Sequence, residues 1–148
     1  MEQKYFFYHK TILGHYAADA FIVRCFDDRF RPAFEKFLKA QKIKHADVES
    51  PAGGAKIFAS PEKAGDRDFM LRELEKSIRL HHATRVMLFT HYDCGAYGGH
   101  ARFDYDEKKQ FAFHADEHKK SRDIIRKRFP RMKTTTYFID AKGIIKTS

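Results

Sequence analysis

Two apolar runs constrain this chain more than any other feature: Ala20–Arg24 (AFIVR) and Arg85–Thr90 (RVMLFT). The second is apolar through its middle residues with no polar alternation, so a strand built from it must be covered on both faces. Helical patterns separate these runs from weaker ones. Arg31–Gln41 places Pro32 in a first turn and Phe34, Phe37 and Leu38 on one face. Asp66–His82 predicts a long helix with Phe69, Leu71, Leu74, Ile78 and also Met70 turned inward, and Ala115–Phe129 predicts another, stopped by Pro130. Ala46–Glu49 and Thr135–Ile139 read as further strands, Gly143 as a turn before the tail, and the aromatic segment Glu2–His15 as a helix lying against the core. Strand and helix alternate, which is the pattern of an α/β fold: a three-layer sandwich around a mostly parallel sheet of four or five strands. With 148 residues and neither a repeat nor a linker, the chain is expected to form one domain over residues 1–148.

In open parallel sheets, ligands sit beyond the carboxyl ends of the strands. That rule selects Cys25-Phe26-Asp27-Asp28-Arg29 and His91-Tyr92-Asp93-Cys94-Gly95, so both cysteines of the chain fall on one rim. Taken singly, each cysteine is an ordinary small buried residue and His91 a polar strand end. Together, two thiolates and an imidazole form a three-ligand set suited to one zinc ion per chain, with a fourth position open. His91 and Cys94 are spaced for one tight turn, Gly95 lets the backbone bend there, and Cys25 must arrive from a neighbouring strand. Asp27 lies two residues from Cys25 and can swing onto the metal as a fourth ligand. Arg29 can instead hold that carboxylate in a bidentate pair, leaving the fourth position to water. Asp28 points elsewhere on an extended backbone and is expected to cap the following helix. Asp93 is expected to bond locally or to support a ligand.

No run approaches the ~20 apolar residues of a membrane span. The opening MEQKYFFYHK lacks the apolar core of a secretory signal, so the protein is expected in the cytoplasm, where a cysteine pair is more often metal-binding than bridged. The net charge of +9 gathers partly in residues 118–133, including Lys119, Lys120, Arg126 and Arg128. With no accompanying nucleic-acid motif, this reads as a solvated helix face, and neither nucleic acid nor membrane is expected as a partner. Of nine histidines, His100 follows Gly98-Gly99 close to the predicted site; it reads as structural, with proton relay the alternative.

Cys25-x-Asp27-x-Arg29 followed by His91-x-x-Cys94-Gly95 resembles the paired signature of beta-class carbonic anhydrases, and Ala52-Gly53-Gly54 resembles that family's Ala-Gly loop. The resemblance covers roughly residues 20–100. It implies zinc on Cys25, His91 and Cys94, an Asp27–Arg29 dyad, and a zinc lyase that reversibly hydrates carbon dioxide to bicarbonate with hydroxide as nucleophile. It also implies a narrow substrate pocket at Ala52, Gly53, Gly54 and Gly95, and a homodimer or higher homo-oligomer. Ser50-Pro51 stands where the family usually carries Arg-Asn, and Ala96 where it often carries a second glycine.

Three rival readings stay in view. Cys25 to Arg31 satisfies a Cys-x5-Arg phosphatase spacing, but Asp27 and Asp28 inside such a cradle would repel a phosphate dianion. The same zinc pocket could hydrolyse carbonyl sulfide or carbon disulfide. Finally, a zinc-stabilised binding domain without catalysis would result if Asp27 held the fourth position permanently.

Overall fold

The structure, a computed structural model, describes residues 1–148. Its elements run β1 (Ala20–Val23), α1 (Arg31–Ala40), β2 (Ala46–Glu49), α2 (Lys56–Ala59), α3 (Ala64–His81), β3 (Arg85–His91), α4 (Glu107–Arg128), β4 (Lys133–Ile139) and β5 (Ile144–Lys146). The five strands lie in the order β2-β1-β3-β4-β5. All neighbours are parallel except β5, which returns antiparallel along β4. No helix is long and apolar enough to cross a membrane.

Alternating residues of each strand feed two cores, the consequence of a period of two. Phe21 and Val23 of β1 and Val86 and Leu88 of β3 pack with Met70, Leu71 and Leu74 of α3 and Ile125 of α4. Ala20, Ile22, Met87 and Phe89 face the other way, against Phe34 of α1 and Ile139 of β4. The expected three layers are therefore present, with α1 on one face and α3 and α4 on the other. The chain leaves β1 for β2 on one side and returns to β3 on the other, so the strand order reverses at β1/β3.

Several local expectations need correction. Phe69, expected to turn inward, is 48% exposed, whereas Met70, Leu71 and Leu74 are buried as expected. Residues before Ala20 form no helix. Phe6, Phe7, Tyr8, Ile12 and Leu13 are exposed there, because their spacing offers no single face to the core. The segment is tied down near its end, where the Tyr16 hydroxyl donates to Asp47 Oδ1 at 2.7 Å. Strand β5 and the short helix α2 were not foreseen; each is brief and lacks its own apolar period.

Helix α4 starts eight residues before the predicted Ala115, at Glu107, capped by Asp106, whose carboxylate accepts from the amides of Lys108 and Lys109. Its early turns escaped the pattern because the buried face is polar: Gln110, His114, Glu117, His118 and Ser121. The Tyr97 hydroxyl donates to Glu117 Oε1 at 2.9 Å, and the Ser60 hydroxyl donates to the same oxygen. His118 bridges the hydroxyls of Thr90 and Thr147, both at 2.7 Å. The basic residues Arg126, Lys127 and Arg128 occupy the last turn of α4, where cations favour the helix dipole.

Burial drives the imidazoles of His114 and His118 down to about 3 and about 4. The unfolded chain takes up these protons near pH 6.5, so between there and pH 4 it binds more protons than the fold, and stability falls with pH. About 2–3 kcal/mol per histidine should be lost by pH 4.5. Urea unfolding at pH 7 and 4.5 measures this, and His114→Leu should remove about half of the loss attributable to the pair. An unchanged pH dependence in that variant would show that His114 is not held neutral.

Candidate metal centre and active site

The site forms where β1 and β3 end side by side, with Val23 paired to Leu88. Beyond β1 the chain passes through Cys25 into a tight turn, Asp28–Phe30. Beyond β3, His91 is followed by a turn that forces Asp93 to φ 54° and delivers Cys94. One ligand atom from each of Cys25, His91 and Cys94 lies within 4.8 Å of the others, and all three residues are buried. Both thiols are free. The pairing of β1 with β3 thus brings together the three residues that the rim rule selected.

His91 Nδ1 lies 2.7 Å from the Tyr92 carbonyl oxygen, so that nitrogen carries the proton and donates it. Its other nitrogen, Nε2, is buried with no protein partner. A buried lone pair without a donor is costly, and a metal ion is the partner that suits it beside two thiols. A hydrogen bond from Cys94, with a smaller contribution from the Gly53 amide, pulls the Cys25 thiol well below its ordinary range despite its burial. Cys94 is driven up, chiefly by donating to Cys25 and then by desolvation. Two thiolates buried this close together need a positive charge between them. The residues present fit zinc.

Around this cluster, Gly53 N donates to Cys25 Sγ at 3.3 Å. Gly54 sits at φ +57°, and a Cβ there would come within 2.2 Å of the Phe89 carbonyl oxygen and 2.8 Å of the Cys25 amide. Gly95 differs from expectation. A Cβ there would meet nothing within 4 Å, so neither a bend nor a close approach demands glycine. Ala52, with Pro51, Lys56, Ile57 and Ala96, lines a cavity of about 580 Å³ beside these loops; Gly53 and Gly54 form the adjoining turn rather than its wall.

Asp27 and Arg29 form the bidentate pair. Arg29 Nη2 donates to Oδ2 at 2.7 Å and Nε donates to Oδ1 at 3.1 Å, while the Arg29 amide also donates to Oδ1 at 3.0 Å. Arg29 thereby holds the Asp27 carboxyl down to about 2. Asp27 Oδ2 stands 3.8 Å from His91 Nε2, at the edge of the cluster. Asp28 does not cap α1: it pairs with Arg31 at 2.7 Å, and Phe30 precedes the helix without a side-chain bond. His100 Nδ1 is engaged by Gln110 Oε1 at 2.7 Å, and its ring packs against Tyr92 and Tyr105.

Tyr97 was missed. It is 3% exposed, packs against both cysteines, and is pinned by Glu117. Only an aromatic residue three positions after Cys94 hinted at it, and many residues share that description.

Sheet order, layers and clustered side chains together define the architecture of beta-class carbonic anhydrases. A family model described as "Putative carbonic anhydrase" matches residues 17–147, and the chain belongs to this family. Beta-carbonic anhydrase isoform I from Trichomonas vaginalis is similar with a TM-score of 0.63 at 17% identity, covering 94% of this chain and 87% of that one. Tetrameric beta-carbonic anhydrase from the ascomycete Sordaria macrospora follows at 0.60 and 13%, covering 88% and 81%. The apo form of a carbon disulfide hydrolase matches at 0.55 and 14%, covering 90% and 81%. At such identities these likenesses speak for the fold.

Proposed function

We propose that the protein reversibly hydrates carbon dioxide to bicarbonate, with one zinc ion held by Cys25, His91 and Cys94. The observation that carries this reading is the buried, unpartnered His91 Nε2 facing two thiols beside a clamped carboxylate. Zinc held by these residues would lower the pKa of water toward about 7 and so make hydroxide available near neutral pH. The chain's own residues then orient the reaction. Asp27, ionised well below neutral pH, is acceptor-only, so a nucleophile beside it must donate its O–H to Asp27 and keep a lone pair free for carbon dioxide. Arg29 keeps the carboxylate aimed in that direction. The buried His91 and Cys94 and the aromatic Tyr97 exclude bulk water from one side, which suits a small uncharged substrate.

Stopped-flow hydration at about pH 8.5, above that ~7, with zinc measured on the same sample, tests the reading. Wild type should carry one zinc and turn over. Cys94→Ser should lose most of its zinc and melt lower, because a serine hydroxyl is a poor substitute for a thiolate ligand and metal bound only by the fold stabilises it. Full zinc retention in that variant would remove Cys94 from the ligand set.

Hydrolysis of carbon disulfide or carbonyl sulfide is the second reading, supported by the fold shared with a carbon disulfide hydrolase. Release of hydrogen sulfide without carbon dioxide turnover would select it. A homo-oligomer accompanies either reading, supported by the exposed aromatic segment before Ala20 and by the tetrameric neighbour. Light scattering should give at least twice the 17.4 kDa chain mass, and a monomer at micromolar concentration would refute it. Two free cysteines suit a reducing compartment such as the cytoplasm.

A further inference from the structure

The guanidinium of Arg29 has a second carboxylate. Nη1 donates to Asp93 Oδ2 at 3.1 Å, and Nη2 donates to the Asp93 carbonyl oxygen at 3.1 Å. Asp27 therefore occupies one edge of the fork and Asp93 another, so a single arginine ties the turn after β1 to the turn carrying His91 and Cys94. Asp93 is itself fixed. Its Oδ1 accepts from the His100 amide at 2.8 Å, and a Cβ on Gly99 would approach that oxygen to 3.1 Å.

This second anchor matters because Arg29 is half exposed. An arginine at that exposure, paired with one carboxylate, is a mobile surface contact worth about 0–1 kcal/mol. Asp27 Oδ2 is already only 3.8 Å from the orphaned His91 nitrogen, so a modest swing would carry it onto the metal position. Two carboxylates held on adjacent edges of the fork, with Nη2 donating to both residues, fix the guanidinium plane, and with it the direction in which Asp27 points.

Resting on the zinc reading above, we infer that Asp93 is a positioning residue: acting through Arg29, it holds Asp27 off the metal and toward the nucleophile. Asp93 touches no reacting atom. Its contribution vanishes when Asp27 is absent, which separates it from a merely structural loop residue.

The test uses the full chain loaded with cobalt(II), whose visible spectrum reports its ligands. Asp93→Asn preserves shape and can still accept from the His100 amide, but turns an amide toward Arg29. Its cobalt spectrum should change as the Asp27 carboxylate enters the coordination sphere, and kcat should fall roughly tenfold, the worth of one charge-assisted hydrogen bond. Asp93→Ser, whose hydroxyl can still accept a hydrogen bond but offers Arg29 no carboxylate, should shift the spectrum in the same direction should Asp93→Asn fail to fold. The double variant Asp27→Ala/Asp93→Asn should match Asp27→Ala alone in spectrum and rate. Cobalt-loaded Asp93→Asn with the wild-type spectrum, or a rate loss that multiplies fully onto that of Asp27→Ala, would overturn the positioning role alone. Failure of wild type to take up cobalt would overturn the metal reading and this inference with it.

Discussion

Asp27→Ala is expected to retain one zinc per chain and to lose at least about a hundredfold in kcat/KM, within the 10²–10⁴ range of a positioned proton acceptor. The metal should stay because Asp27 is not part of the Cys25–His91–Cys94 cluster and lies beside it, 3.8 Å from His91 Nε2. The rate should fall because nothing else nearby can take its place. Asp93, the other carboxylate on Arg29, is engaged by Nη1 of the guanidinium and by the His100 amide. Metal analysis and stopped-flow rates on one preparation decide the matter. Zinc retained with wild-type turnover would show that Asp27 takes no part. Zinc lost would make the carboxylate a ligand.

Gly54→Ala is expected to be the most damaging single-methyl change in the chain. The added Cβ would stand 2.2 Å from a backbone oxygen of β3 and 2.8 Å from the Cys25 amide, and neither can move without breaking the end of a strand. The Phe89 oxygen it strikes also accepts the Ala55 amide at 3.0 Å. A left-handed φ adds about 1–2 kcal/mol for any side chain. Relief must come from the Ala52–Ala55 turn lifting away, which withdraws the Gly53 amide from Cys25 Sγ. A loss above about 4 kcal/mol follows, which for a chain of this size lowers Tm by roughly 10 °C or more. Gly95→Ala provides the comparison. It meets nothing within 4 Å, so thermal melting of the two variants should differ widely, and equal melting would refute the contact geometry.

Much of this architecture is legible in the sequence. Arg85–Thr90 announced a buried central strand because an unbroken apolar run has few other uses. Cys25, Asp27 and Arg29, like His91 and Cys94, were legible because each set lies within a few residues of a strand end, where the backbone settles which side chains share a rim. Phe69 misled because it borders the apolar face of α3; packing against the sheet buries Met70, Leu71 and Leu74 and leaves Phe69 48% exposed. The inner face of α4 was silent because Gln110, His114, Glu117 and His118 carry no hydrophobic period. The sequence by itself therefore determined the alternation of strands and helices and the chemistry available at two strand ends, both properties of near neighbours. Only the tertiary structure decided that β1 lies beside β3 so that Cys25, His91 and Cys94 converge, that the Gly53 amide reaches Cys25, and that Arg29 spans Asp27 and Asp93. Those contacts join residues far apart in the chain. Their stabilisation comes from meeting the hydrogen-bonding and charge requirements of groups brought together by packing, which leave no period along the sequence.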